Sequence, residues 1–344
     1  MHAVLLEPLG DSDGPARSFA DQYKGARTES RAGRPNAIKL TEGPTLSQTI
    51  LFAGSSGNIA RAAIAALDGK GFHIRGGIRD VEQGNRLFAG LADVEVVELN
   101  IEKPATVRAA FEGIDYLYFA TLLAVPGEFE ETFVRAAVEA GTVKHIVHST
   151  GSTASVPDAF PRCSEFIFER EAHTRDSGIG WTITRPCMFM QNLSSMQAGS
   201  IRDEGCWTEP IAADAEIAYV DARDVGLCVA AIFQSPREHL GKVYTITGPD
   251  VITSAQMARK ISDGIGSKVE YRPISADEWT TRNWGDVDVS SGENWLFEVL
   301  RENYVGFSEG AEGRNILNDN VKRITGTNAR DFANFVSEHA DAWR

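Results

Sequence analysis

The residues able to do chemistry begin in "FAGSSGNIAR", Phe52 to Arg61, where two glycines stand three positions apart directly after an apolar run. A turn of this kind at a helix start exposes backbone N–H groups to an anion, and a phosphate fits such a site. Gly54 would turn the chain sharply, Gly57 would admit a pyrophosphate close to the backbone, and Ala60 would be the third small position, where helix and strand pack tightly. A strand-to-helix turn with no ligand has the same spacing. About twenty-five positions on, "GGIRD" puts Arg79 at a strand end where a lone acid would otherwise hold a ribose hydroxyl pair. A guanidinium there can pair bidentately with a 2′-phosphate, which favours NADP over NAD. Asp80, the next residue, could instead take the ribose, with Arg79 turned to solvent.

The elements that must position these residues alternate in type. Apolar, β-rich runs recur at Thr49–Ala53, Phe72–Ile78, Val94–Leu99, Tyr116–Ala120, Lys144–His148 and Trp181–Thr184, which reads as a series of strands. Between them, "NIARAAIAALDGKG", "PATVRAAFEG" and "EFEETFVRAAVEAG" carry apolar residues at helical spacing and end in glycine, the residue wanted at a left-handed C-cap. Strict alternation of this kind predicts an α/β fold with a doubly wound parallel sheet of Rossmann type, spanning about 48–198. After about Gly199 the alternation loosens. "AYVDARDVGLCVAAIF" reads as a short strand or turn entering a helix, and "GKVYTITGPDVITSAQMARKISDGIG" as strand, turn and a helix capped by Thr253 or Ser254. With the closing "NARDFANFVSEHADAW", residues 199–344 read as a smaller C-terminal α+β lobe that faces the substrate and returns some elements to the core. Residues 1–47 mix Gly, Pro, Ser and charge without periodicity and read as an extension outside the fold, part of it disordered.

Composition narrows the function. The 344 residues carry a formal charge of −14 with no basic stripe, which argues against a nucleic-acid surface. No run of about 18 apolar residues occurs and no signal-like N-terminus precedes the fold, so a soluble, cytoplasmic protein without a membrane partner is expected. Cys163, Cys187, Cys206 and Cys228 form no CxxC pair or metal-like spacing with histidine; they read as buried small hydrophobes, and no metal site is expected.

"TILFAGSSGNIAR", "GGIRD", "GIDYLYFAT", "VKHIVHSTGS", "SGIGWTITRPCMFMQNL", "YVDARDVG", "YTITGPDVITSAQMARKIS" and "VKRITGTNARDFANFVSEHA" follow one another in an order that resembles the NmrA-like group of atypical short-chain dehydrogenases/reductases, from about Thr49 to the C-terminus. That group includes NAD(P)H:quinone reductases, isoflavone-reductase-like enzymes and redox-sensing regulators that bind NAD(P). The resemblance implies a phosphate-binding turn of Gly54, Ser55, Ser56, Gly57, Asn58 and Ile59, with Arg79 on the 2′-phosphate. It implies that Ala120 and Thr121 line the dinucleotide, that Ser149 and Thr150 lie near the nicotinamide, and that Pro186, Cys187, Met188, Phe189 and Asn192 shape the substrate pocket. Ordinary core packing would account equally well for Met188 and Phe189.

The proton-transfer chemistry is thinner. Reductases of the wider superfamily use a Tyr-x-x-x-Lys pair, in which lysine lowers the tyrosine pKa, and no tyrosine here has lysine four positions later. Aligning Glu171 with a family glutamate puts Ile167 where a polar donor sometimes sits, and leaves His173 on the wrong side. Gly151 occupies the position of a serine used by some relatives, with Ser152 as the shifted-register alternative. His148, Tyr219, Asp221 and Trp279 are further options for acid or base. The expectation is an NADP(H)-preferring oxidoreductase, with NAD(H) second, that passes hydride to a small organic acceptor such as a quinone or a specialised metabolite. The alternative is a non-catalytic NADP(H) sensor that acts through a protein partner.

Overall fold

The computed structural model describes residues 48–121, 128–284 and 295–344; the extension expected over 1–47 lies outside them. Strands β1 (Gln48–Ala53), β2 (Phe72–Ile78), β3 (Val94–Glu98), β4 (Tyr116–Ala120), β5 (His145–Ser149) and β6 (Gly180–Pro186) fall within two residues of the six apolar runs. Helices α1 (Asn58–Leu67), α2 (Val81–Leu87), α3 (Pro104–Phe111), α4 (Glu128–Ala140) and α5 (Pro161–Arg175) connect them.

β1 from Ile50 on and β4 are apolar at every position because both faces of the sheet are covered there, whereas β2, β3 and β5 also carry His73, Arg75, Glu95, His145 and His148. Ile50 and Phe52 of β1 enter one core cluster, beneath α1, while Leu51 and Ala53 enter another, with Phe111 and Phe133 of α3 and α4. β4 divides in the same way, Tyr116 and Tyr118 against Leu117 and Phe119. The period of two that separates the faces is thus hidden inside a continuous apolar run.

Beyond β6 come α6 (Gln191–Ser195), α7 (Ala198–Glu204), β7 (Cys206–Glu209), α8 (Ala222–Gln234), α9 (Pro236–His239), β8 (Lys242–Ile246), α10 (Ser254–Ile265), β9 (Glu270–Pro273), α11 (Ala276–Trp284), α12 (Trp295–Ser308), α13 (Asn320–Thr325) and α14 (Phe332–His339). The main sheet has the order β3-β2-β1-β4-β5-β6-β8, with every neighbouring pair parallel. Strand order reverses between β1 and β4, and ligands of doubly wound sheets bind in the crevice at such a reversal, beyond the carboxyl ends of the strands.

Two elements of the C-terminal stretch belong to the main sheet. β8 pairs with β6, and α8 lies on α1 so closely that a Cβ on Gly226 would come 2.5 Å from Ala62 Cβ and 2.8 Å from Ile59 O. Glycine is required there by approach, since the facing atoms include backbone. The remainder surrounds the short parallel pair β7–β9 and a second core that includes Trp207, Ile261, Phe335 and Trp343. α10 begins at Thr253 with a full capping box closed by Gln256, which settles the choice between Thr253 and Ser254. The Trp343 indole N–H donates to Leu193 O at 2.9 Å, tying the last turn of the chain to the segment after β6.

Candidate functional site

The turn after β1 stands at the crevice. Gly54 has φ +82°, a left-handed conformation that L side chains rarely adopt. Its N–H and that of Ser55 both donate to Gly77 O, at 3.1 and 3.0 Å, which pins the turn to β2. Ser55 is fully buried, with its hydroxyl turned towards β2 at Gly76, so its part is to shape the turn. Ser56, Gly57 and Asn58 are exposed, and Ile59 and Ala60 are buried under the start of α1.

Gly57 is the N-cap of α1, provides no side-chain cap, and is followed by no acidic residue in the first turn. The positive end of the helix is therefore left uncompensated by the protein. Gly57 has φ −66° and ψ 151°, which any residue can adopt. A Cβ there would meet only Gly54 O, at 3.5 Å. Neither strain nor packing within the protein requires glycine at position 57, and an approaching ligand would.

Arg79 is exposed at the end of β2, and among the described residues no hydrogen bond or ion pair engages its guanidinium. Asp80 is committed differently: it is the N-cap of α2, its Oδ1 accepting from Gln83 N–H at 2.9 Å. The acid at the strand end thus has a local duty, and the neighbouring cation is free.

The ends of β4 and β5 are held by a polar network. Half-buried Thr121 donates its N–H to Ser149 O at 2.8 Å, and its hydroxyl meets His148 Nε2 at 2.8 Å. His148 is fully enclosed, and burial lowers its pKa to about 3, so the ring is neutral and positions threonines, with Thr174 on Nδ1. Buried Ser149 is 2.7 Å from the Thr184 hydroxyl. The Thr150 hydroxyl donates to Glu171 Oε1. Burial would raise the Glu171 pKa, but Arg185, Arg175 and Thr150 outweigh it and hold the carboxyl below its ordinary value. Ala120 lies half-exposed beside this network.

The expected pocket segment runs along the seam between two cores. Pro186 ends β6, and the Cys187 N–H donates to Ile246 O. Half-buried Met188 packs on the C-terminal core and half-buried Phe189 on the sheet core. Val220 N–H donates to Met188 O, and Met190 N–H to Val220 O, tying the segment after β6 to the stretch that precedes α8. Asn192 is half-buried in α6.

Several acid–base options have other roles. Asp221 caps α8 and is bound by Gln191 and Arg223. Trp279 packs edge-on against Tyr304, with ring centres 4.5 Å apart. Ile167 is buried, with its Cδ1 3.2 Å from where a Gly151 Cβ would lie, and His173 is half-buried in the last turn of α5. Ser152 is the exception. Its hydroxyl donates at 2.5 Å to Oε1 of Glu312, a fully buried carboxyl that sequence reading passed over. Tyr219, also buried, feels the charge of both Glu209 and Glu312. All four cysteines are free and buried, and no group of His, Cys, Asp or Glu among the described residues could hold a metal. No helix among them is long and apolar enough to cross a membrane.

The same architecture recurs in known proteins. Over 299 residues the chain is 29% identical to the NAD(P)H azoreductase of Xenophilus azovorans, covering 86% of this chain and 99% of that one. Over 294 residues it is 30% identical to the (4-alkanoyl-5-oxo-2,5-dihydrofuran-3-yl)methyl phosphate reductase of Streptomyces griseus subsp. griseus, again with 86% and 99% coverage. The solved triphenylmethane reductase of Citrobacter sp., complexed with NADP(H), superposes with a TM-score of 0.68 at 20% identity, covering 85% of this chain and 99% of that one, a likeness of fold. Residues 46–285 match the NmrA-like family, and with that match, beside near full-length similarity to its reductases, this chain belongs to the NmrA-like family.

Proposed function

We propose that this chain is an NADP(H)-dependent reductase that transfers hydride to a small organic acceptor such as a quinone or an azo compound. The observation that carries the reading is the exposed turn at Gly57. It joins an uncapped helix N-terminus, a glycine that neither conformation nor packing demands, and, on the neighbouring strand end, an exposed arginine with no partner among the described residues. These three features fit a pyrophosphate on the α1 amides and a 2′-phosphate on Arg79. Asp80 is already spent as a helix cap, which leaves the ribose position to the cation and supports NADP(H) over NAD(H).

The ends of β4 and β5 would hold a nicotinamide, which when bound would supply hydride. The protein's part is to orient it on Thr121 and Thr150, which the His148 and Glu171 networks hold in place, and to present an apolar wall from Met188 and Phe189 that keeps water from the reacting atoms. The chemistry named in both curated relatives supports reduction of a small organic molecule. The test is a titration of purified protein with NADPH and NADH, followed by addition of quinones and azo dyes while absorbance at the reduced-nicotinamide band is recorded. Tight NADPH binding with acceptor-dependent oxidation is expected. Tight binding without oxidation of any acceptor would refute the reductase reading in favour of a nucleotide-responsive partner of another protein, and no binding would reduce the glycine turn to a turn.

A further inference from the structure

We infer that Glu312, acting through the Ser152 hydroxyl, supplies the proton that an acceptor requires after hydride has reached it. The inference rests on the reductase reading and adds to it the class of acceptor served: compounds such as azo dyes, whose hydride adduct is a strong base.

The geometry is specific. Ser152 follows β5 and Cys187 follows β6, so both stand at the carboxyl ends of neighbouring central strands. Ser152 Oγ and Glu312 Oε1 are 2.5 Å apart across 160 residues of sequence. Glu312 is fully buried, and among the described residues its Oε2 has no hydrogen-bond partner and the Ser152 hydroxyl is the only group bonded to the carboxyl. A buried carboxylate with one neutral partner is costly as an anion and is stabilised by taking a proton. Accordingly its pKa is pushed up to about 7 by burial, against which the Ser152 bond works only in part. The titratable groups that feel its charge are Cys187, Cys163 and Tyr219, all three with thiol or phenol pKa values raised chiefly by burial. Arg314, two residues on, is paired outward with Glu216. The backbone fixes the carboxyl in place, Glu312 O accepting from Ala218 N–H at 2.8 Å.

The step balances. A bound reduced nicotinamide would supply hydride to one nitrogen of the azo bond, its own C–H bond breaking as that N–H bond forms, and the charge would be left on the other nitrogen. With Glu312 protonated, the 2.5 Å pair runs the other way, the carboxyl O–H donating to Ser152 Oγ, so that the nitrogen takes the freed Oγ proton as Oγ takes the Glu312 proton. In this proton step the second N–H bond forms, the carboxyl O–H bond breaks, serine ends as it began, and the buried carboxylate takes its next proton back through the Ser152 hydroxyl once product has left. Glu312 is thus a positioning residue for the proton, and Ser152, itself buried at the strand ends, is the group proposed to meet the acceptor.

The test compares an azo dye with a cationic triarylmethane dye, which becomes neutral on receiving hydride and needs no proton. In Glu312→Gln and in Ser152→Ala the ratio of azo to cationic-dye turnover should fall about 100-fold, the usual size of a general-acid contribution. Infrared difference spectra of the protein without nucleotide should show a buried carboxylic acid band that titrates near neutral pH and is missing in Glu312→Gln. An unchanged turnover ratio would overturn the relay while leaving the reductase reading intact. Carboxylic acid bands at pH 5 that are identical in wild type and Glu312→Gln would overturn it without recourse to turnover. A wild-type protein that reduces neither dye nor any quinone would instead remove the reductase reading, and the relay with it.

Discussion

Replacing Gly57 with alanine separates a glycine kept for the fold from a glycine kept for a ligand. Its φ of −66° and ψ of 151° suit alanine, and the new Cβ would touch only Gly54 O at an ordinary 3.5 Å. Two stability effects then oppose each other. Alanine reduces the freedom of the unfolded chain, worth about 0.4–1 kcal/mol in favour of folding. Alanine is also a poorer N-cap than glycine, which costs about 0.5–1 kcal/mol. The sum is near zero, and Tm should stay within about 2 °C of wild type. Binding has no such cancellation. A pyrophosphate seated on the first-turn amides would be pushed away by the methyl group and lose at least one charge-assisted hydrogen bond, worth about 1.5–3 kcal/mol. The NADPH Kd should therefore rise at least about tenfold.

The assay is a thermal melt without nucleotide beside a calorimetric titration with NADPH. Gly54→Ala provides the contrast. At φ +82° it must strain the turn, so it should lose melting temperature as well as affinity, by about 1–2 kcal/mol in stability. If Gly57→Ala binds NADPH as wild type does, no ligand approaches that face of the turn. If it melts far below wild type, the glycine is there for packing that the contact distances fail to show.

Arg79→Ala should raise the NADPH Kd about 10- to 100-fold and leave NADH within about threefold, since only the former carries the 2′-phosphate; equal losses in parallel titrations would remove the basis for NADP preference. Gly226→Val should destabilise the fold by about 1–3 kcal/mol through overpacking, because its Cβ would lie 2.8 Å from Ile59 O and 2.9 Å from Ala63 N, backbone atoms of α1 that cannot step aside; an unchanged Tm would mean that α8 can lift off α1. Glu312, held up to about 7 in the fold against an ordinary 4.5, keeps a proton that the unfolded chain releases between those values. Its contribution to stability is therefore full below pH 4.5 and is lost as pH rises towards and through 7, a loss of order 3 kcal/mol by linkage. Glu209, also pushed up to about 7 by burial, acts in the same sense. Melts from pH 5 to 8 should fall more steeply in wild type than in Glu312→Gln, and parallel slopes would show that the carboxyl does not titrate in that range.

What was legible in the sequence is what local chemistry determines. The central strands β1 and β4 stand out because a sheet covered on both faces is apolar on both sides of the strand, the others stand out by their β-branched and aromatic runs, and Gly54 stands out because a turn of that hand admits little else. The role of Asp80 was ambiguous for a physical reason. An acid between a strand end and a helix start satisfies equally well a ribose or an N-cap, and the Gln83 amide decides the matter only in three dimensions. His148 and Asp221 misled in the same way, as polar residues with acid–base character that the fold spends on a threonine and a helix cap. Glu312 gave no signal at all, because "EGAEGRN" is an unremarkable polar stretch and its meaning arises only from a serine 160 positions earlier. Cofactor sites in a doubly wound sheet are built by one turn and the strand ends beside it, so their residues cluster in sequence. The Ser152–Glu312 pair instead joins segments 160 residues apart. That difference explains why the glycine turn at Gly54–Gly57 is legible as a turn in the sequence, whereas the buried carboxyl becomes visible only in the fold.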